Sequence, residues 1–305
     1  MISDILPQFK IGMKCITKED MPRFYKSGAS LDRVISSIKL DGARLHAFVD
    51  DTAVAHKSYN LKDFANFGCL TEPIRALLAT QTMRNMKQDT LMFDGEVVDR
   101  YAKTRNAKFK SVMQQLHRIY DMDDSGFQFH AFDFWYPGIR VPQCVRLATL
   151  QSAVRELQHE RVAYHVHRVV SFEDQKAMFA YADDVIASGA EGLVLKNYNG
   201  MYEMRRSPNW LKLIAEETID MNVDGILEGQ GKLAGHIGKF ICHLGAVEVK
   251  VAPGAATHEQ LREWFVDPER RPKMIEVKFK ERTTDGSLRH PRFYRVRDDK
   301  FGAPE

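Results

Sequence analysis

Between residues 33 and 215 the apolar positions follow two periods. RVISSIK (33–39), ARLHAFVD (43–50), TLMFDGEVVD (90–99), FQFHAFDF (127–134) and GLVLKN (192–197) are short runs rich in branched and aromatic residues, and they read as strands. EPIRALLATQTMRNMK (72–87), RLATLQSAVREL (146–157) and FEDQKAMFAYADDVIA (172–187) place apolar residues at helical spacing. The two kinds do not alternate regularly, which predicts an α+β domain rather than a wound parallel one. Past about residue 216 the texture becomes short strands broken by glycine: TIDMNVDGILEG, HIGKFICH, GAVEVKV and MIEVKFKER, with a helical interruption at THEQLREWF. That segment predicts a small β-barrel of the oligonucleotide-binding type. The predicted domains are 1–216 and 217–305, joined by a short hinge near Ala215 to Thr218, with no internal repeat or low-complexity tract.

Composition narrows the class without naming it. A chain of 305 residues suits two domains, and 44% hydrophobic with 28% charged residues is the make-up of a soluble globular protein. No apolar run nears the roughly 18 residues of a membrane helix, and MISDILPQFKIGMKC does not resemble a secretory leader, so a cytosolic monomer with no membrane association is expected. Cys15, Cys69, Cys144 and Cys242 are scattered without a Cys-x-x-Cys pair, which speaks against a zinc ribbon or disulfide framework and for plain core thiols. A net charge of +3 is mild, so any nucleic-acid surface must be argued from where the charge sits. Lys103 to Arg118 (KTRNAKFKSVMQQLHR) holds five basic and no acidic residues, interleaved with Phe109, Val112, Met113 and Leu116. It fits a helix with one buried face and one face for DNA phosphate through Lys103, Arg105, Lys108 and Lys110, and equally a helix whose basic face is merely solvated.

Lys39 opens KLDGAR at the end of an apolar run. A lysine attacks phosphorus only as the neutral amine, which calls for burial or nearby cations such as Arg44 and a bound metal ion to lower its pKa. Taken alone, the string reads rather as a surface lysine before an Asp-Gly turn. The balance changes when KLDGAR is taken with FDGEVV (93–98), EGLVLK (191–196) and NWLKL (209–213), in that order. Together they resemble the motifs of the covalent nucleotidyltransferase superfamily, which includes ATP-dependent DNA ligases and mRNA capping enzymes. The segment DGSLRHPRFYRVRDDK (285–300) is similar to the closing motif of minimal phage-type DNA ligases, so the resemblance covers nearly the whole chain.

The resemblance implies an adenylation domain with mixed and antiparallel sheets, followed by an oligonucleotide-binding barrel, that seals nicks in double-stranded DNA with ATP and Mg²⁺ or Mn²⁺. Lys39 matches the nucleophile that carries AMP, with Asp41 and Arg44 beside it and Ile38 bordering the nucleotide. Glu96 matches the acid that holds the ribose or a metal ion, Glu191 and Asp41 complete the metal set, and Phe132 matches the aromatic that stacks on adenine. Lys196 and Lys212 match cations near phosphate oxygens. Arg295, Arg297, Asp299 and Lys300 match the closing motif that approaches the leaving pyrophosphate, with Arg295 and Lys300 on the nucleotide. Arg44, Lys57, Arg289 and Arg292 are candidates for DNA contacts. His130, two residues before Phe132, either touches the base or is structural.

Three positions depart from the pattern. Ile214 stands where a second lysine usually follows Lys212, Lys57 where many ligases have an arginine, and Ser37 where many relatives have a glutamate. EGQGKL (228–233) lacks the earlier glycine and the Ser or Thr of a Walker loop. EGLVLK and LRHPRF favour a DNA ligase over a capping guanylyltransferase, and Asp41-Gly42 disfavours an RNA ligase. A nucleic-acid-binding protein on a degenerate ligase scaffold is the non-enzymatic alternative, and Ile214 is its sequence support.

Overall fold

The computed structural model describes residues 1–64, 66–116, 124–283 and 285–301, with the backbone alone for Arg105 and Asn106. Two units are distinguished, Met1–Ile214 and Ala215–Glu305. The strands of the first, in chain order, are β1 Lys14–Ile16, β2 Val34–Ile38, β3 Ala43–Val49, β4 Val54–Lys57, β5 Leu91–Asp99, β6 Phe127–Trp135, β7 Val162–Tyr164, β8 Arg168–Val170, β9 Gly192–Asn197 and β10 Arg206–Ile214. They form two five-stranded sheets, ordered β1-β10-β9-β2-β8 and β4-β3-β5-β6-β7. Pairing is antiparallel except at β1/β10 and β6/β7, so each sheet is mixed at one edge.

Each sheet buries one face under helices. The helices Thr71–Leu78 and Gln143–Leu157 supply Ile74, Leu77, Leu150 and Ala153 to a core with Leu45, Phe93 and Phe129 of the second sheet. Met21–Lys26 and Gln175–Ala187 supply Phe24 and Met178 to a core with Val34, Leu195 and Leu211 of the first. A third cluster, around Phe9, Phe48, Trp135, Tyr202 and Trp210, combines β3, β5 and β6 of one sheet with β10 of the other. The helix expected over 72–87 breaks in two: Thr71–Leu78 stops, and Thr80 caps Gln81–Arg84 by accepting from the Met83 N–H at 3.3 Å. Threonine at an N-cap offers the backbone a better partner than helix continuation does.

β6 carries the irregularity that matters for the site. Asp94 of β5 faces Asp133 and Gly95 faces Ala131, which leaves Phe132 as an extra residue bulged out of the ladder. A bulge turns the side chain of the extra residue away from the regular alternation.

The second unit has β11 Glu217–Asn222, β12 Gly225–Glu228, β13 Ile237–Leu244, β14 Val247–Val251, β15 Met274–Phe279 and β16 Arg292–Val296. The expected barrel takes the form of two antiparallel three-stranded sheets, β11-β15-β16 and β12-β13-β14, linked by a parallel bridge between Ala252 and Arg292. The helix His258–Val266 starts with a Thr257/Gln260 capping box and sets Leu261 and Trp264 against Phe240 and Phe293. Among the described residues no helix is long and apolar enough to cross a membrane.

Candidate functional site

A pocket of about 250 Å³ opens between the two sheets of the first unit, with Lys39, Arg44, Glu96, Phe132, Lys196 and Trp210 among its walls. Ile38, Ser37, Cys15 and His165 line it as well. A second pocket of about 420 Å³ shares Ile38, Lys39 and Leu40 and adds Asp41, Glu191, Lys103, Lys108 and His130. Lys39 therefore stands between an aromatic pocket and a charged one.

Lys39 directly follows β2, and its own N–H donates to the Gly192 carbonyl at 2.8 Å, which docks the nucleophile candidate onto the start of β9. Its Nζ donates to Glu191 Oε2 at 2.7 Å and to the Leu40 carbonyl at 3.4 Å. Burial pulls the Lys39 pKa down, but Glu191 and then Glu96 outweigh it, and the amine ends above its ordinary value. The sequence led us to expect a lowered pKa, and the reason for the difference is that carboxylates rather than cations are its near neighbours. Glu96 is itself pushed up to about 7, by burial first and with help from Glu191, against the pull of Lys39 and Arg44.

The glycines of the two motifs at Lys39 serve close approach rather than a turn. A Cβ on Gly42 would lie 2.1 Å from the Val97 carbonyl oxygen, and one on Gly192 would lie 2.2 Å from that of Leu213. Any side chain there would push β3 off β5 or β9 off β10.

Arg44 is held from behind. Its Nε and Nη2 donate to Asp94 Oδ1 and Oδ2 at 2.9 and 2.6 Å, and Asp94 is fully buried. Tyr202 Oη donates to the same carboxylate at 2.8 Å, and His46 Nε2 lies 3.3 Å away. Burial alone would raise the Asp94 pKa, yet Arg44 and His46 hold it well below the usual carboxylate range. The forked pairing leaves the guanidinium fixed in plane before any ligand arrives.

The bulge turns Phe132 into the pocket, edge to face with Trp210 at 5.9 Å between ring centres. Trp210 Nε1 donates to Gln143 Oε1 at 2.6 Å. Asp133, next to Phe132, forms a fully buried forked pair with Arg146 at 2.7 and 3.0 Å. Arg146 also donates to the Val141 carbonyl, so the bulge is pinned to the start of the helix Gln143–Leu157. Lys196 Nζ lies 4.6 Å from the Trp210 ring and 5.2 Å from the Phe132 ring. It is almost wholly buried, and burial lowers its pKa to about 8.

The other candidates from the sequence take varied places. Lys212 is half-buried on β10 opposite Val194, and Ile214 follows it opposite Gly192. His130 lines the charged pocket, with its Nε2 2.8 Å from Gln128 Oε1, and does not line the aromatic one. Of the basic stretch, Lys103 and Lys110 are exposed, Lys108 is half-buried in the charged pocket, and Val112 is buried. The Arg105 side chain and residues 117 and 118 lie outside the described residues. Lys57 pairs with Asp63 at 2.6 Å. Cys242 is a buried core thiol and Cys15 and Cys69 are partly buried against cores, whereas Cys144 is part-exposed and in no core cluster, which corrects the expectation for it. Cys15 lines the aromatic pocket because β1 forms one of its walls.

In the second unit the closing-motif cations are all paired within that unit. Arg295 donates to Glu276 at 2.5 Å, Arg297 to Asp220 at 3.3 Å and to Asp299 at 3.2 Å, and Lys300 to Asp220 at 2.8 Å. Arg289 pairs with Glu281 at 2.6 Å and Arg292 with Glu216.

The residues that hold the site together escaped the sequence: Asp94, Tyr202, Gln143, Arg146, Trp210, His165 and His167. Asp94 and Trp210 sit inside motif strings, a signal that was available. The others act on Asp133, Ile38, Lys196 or Asp94 from 10 or more residues away along the chain, and nothing in their local sequence points to a site.

Residues 24–213 match the model of the ATP dependent DNA ligase domain family, and residues 228–297 match that of the DNA ligase OB-like domain. A protein named DNA ligase 2 from Methanosarcina acetivorans is 28% identical over 303 residues, covering 86% of this chain and 51% of that protein. A probable DNA ligase from Anaeromyxobacter dehalogenans is 30% identical over 217 residues, covering 68% of this chain and 39% of that protein. The chain thus spans about half or less of these relatives. Among solved structures, one described as a Lig E DNA ligase superposes with a TM-score of 0.66 at 21% identity, covering 94% of this chain and 99% of that one. The ATP-dependent DNA ligase of bacteriophage T7 gives a TM-score of 0.55 at 18% identity, covering 95% and 98%. These likenesses establish the shared fold.

Proposed function

Because this chain belongs to the ATP-dependent DNA ligase domain family, we propose that it seals 5′-phosphate/3′-hydroxyl nicks in duplex DNA through AMP carried on Lys39. The observation that carries the reading is the placement of Lys39 Nζ 2.7 Å from Glu191, in the wall of a pocket that also holds Phe132, Trp210, Arg44 and Lys196. The stacked base needs the aromatic surface, and the phosphates need the cations.

In the first step the neutral Lys39 amine attacks the α-phosphorus of ATP; the N–P bond forms as the bond to the pyrophosphate oxygen breaks, pyrophosphate leaves, and the nitrogen gives up one proton to become the phosphoramidate. In the second, an oxygen of the DNA 5′-phosphate displaces Lys39 from AMP, and in the third the 3′-hydroxyl displaces AMP and loses its proton. Arg44 and Lys196 offset the charge that builds on the phosphoryl oxygens. Among the described residues no three His, Cys, Asp or Glu side chains converge on a metal position, but two carboxylates are what Mg²⁺ commonly takes when phosphates and water complete its shell. Glu96 and Glu191 fit that role, with Asp41 in the adjoining pocket, and a bound Mg²⁺ or Mn²⁺ would supply the positive charge that weakens their hold on the Lys39 proton. Lys103, Lys108 and Lys110 would meet the DNA backbone, and Arg295 and Lys300 the departing pyrophosphate.

The test is incubation with ATP labelled at the α-phosphate, then with a nicked duplex, beside Lys39→Ala. Wild-type labelling and sealing are expected, with both lost in Lys39→Ala. Labelling from GTP and not ATP would overturn the reading in favour of a capping guanylyltransferase, and no labelling from either would overturn it in favour of a binding protein.

A further inference from the structure

Between β7 and β8 the chain leaves one sheet and enters the other in three residues, His165, Val166 and His167. This crossing lies against the aromatic pocket and touches both lysines' strands. The His165 N–H donates to the Ala131 carbonyl of β6 at 2.9 Å, and its ring Nε2 is 2.7 Å from the Ile38 carbonyl, one residue before Lys39. His167 Nε2 is 2.9 Å from Lys196 Nζ.

We propose that His167 is a positioning residue for Lys196, taking one N–H of its ammonium so that another stays directed at an anionic oxygen in the pocket. This deepens the ligase reading and rests on it for the identity of the anion.

The donor count sets the geometry. An ammonium has three N–H groups. One goes to the Phe132 carbonyl at 3.2 Å, a carbonyl on the bulged residue, and one goes to His167 Nε2. The third is left to the pocket that Lys196 lines. For Nε2 to accept, His167 must be neutral with its proton on Nδ1, and Nδ1 is buried without a hydrogen-bond partner. Burial and then Lys196 keep the ring far below its usual pKa, so it remains an acceptor across the physiological range. A buried N–H without a partner costs stability, and the Lys196 contact gives this otherwise unfavourable tautomer a use. Both acceptors on Lys196 are neutral, so no carboxylate in direct contact competes with an incoming phosphate.

The test compares His167→Leu, which keeps bulk and removes the acceptor, with His167→Gln, whose Oε1 reaches about as far as Nε2. Two readouts are taken. In nucleotide-free protein, competitive acylation of Lys196 across pH reports the ionisation of that amine. Asp133, Asp94, Arg146, Cys15 and His165, the other charged or titratable groups that act on Lys196, are unchanged in both variants. Loss of an acceptor for the charged form lowers the acylation midpoint, by roughly one pH unit in His167→Leu, and His167→Gln stays near wild type. In the presence of ATP and magnesium, His167→Leu forms lysyl-AMP about tenfold more slowly, with ATP affinity less affected, and His167→Gln recovers most of the rate. Equal behaviour of Leu and Gln, or a Leu variant like wild type in both readouts, overturns the proposal. If wild type takes no AMP, the ligase reading falls while the acylation midpoint still decides the role of His167. Should His167→Leu fail to give a cooperative melt, His167→Asn replaces it, since its oxygen falls short of Nε2; Asn equal to Gln then counts against the proposal.

Discussion

The two sets of cations in this protein are held in opposite ways. In the first unit Arg44 is forked onto a fully buried carboxylate, and Lys196 sits between carbonyl, imidazole and aromatic faces. In the second unit Arg295 and Lys300 have side chains 60% and 51% exposed and rest on a buried Glu276 and a part-buried Asp220. The first arrangement fixes geometry at a cost already met in folding, so a phosphate arriving there meets groups that need not rearrange. The second leaves Arg295 and Lys300 open to water on one side, where their pairs are weakened by solvent and salt and a polyanion can compete for them. One region is built to be ready and the other to be released.

The sharpest way to break that comparison is to remove a partner on each side. Asp94→Ala should destabilise the protein by about 3–5 kcal/mol, because Arg44 would be left as a buried charge without its carboxylate; urea denaturation measures this, and a loss below about 1 kcal/mol would mean that Arg44 is not held as described. A smaller effect is expected from pH. On the proposed role of Lys196 as a phosphate-binding cation, with its pKa lowered by burial to about 8, ATP affinity of a Lys39→Met variant should fall as pH rises through 8, beyond the change that Glu96 brings near 7. Replacing Lys196 by Met as well should flatten the profile, and a profile that stays steep would assign the titration to another group. The smallest effect belongs to the second unit. Asp220→Asn takes from Lys300 its acid and from Arg297 one of three, and should leave the melting temperature within error while steepening the salt dependence of nicked-DNA binding. A clear drop in melting temperature would show that these pairs support the fold after all.

How far the sequence reaches follows the same division. GLVLKN was legible to the residue, since a short apolar run opened by a glycine, closed by a turn and too short for a helix reads as a buried strand. Lys39, Glu96, Phe132 and Lys196 were legible as motif members, and all four line one pocket. What could not be seen is whatever depends on a partner far along the chain. Lys39 looked like an amine with a lowered pKa because Arg44 was five residues away, whereas Glu191, 152 residues away, decides its charge. His167 reaches Lys196 through a sheet crossing that no local pattern encodes. The split of the 72–87 helix at Thr80 was visible in principle, as a capping residue inside an otherwise helical run.

Phe132 is the one residue of β6 that the ladder skips, with Asp133 and Ala131 facing consecutive residues of β5 on either side of it. Deleting it would therefore close the ladder without shifting the register of either half. The aromatic platform is thus carried by the one residue that the pairing of these two strands does not use, so its side chain can be exchanged without touching a single rung of the ladder.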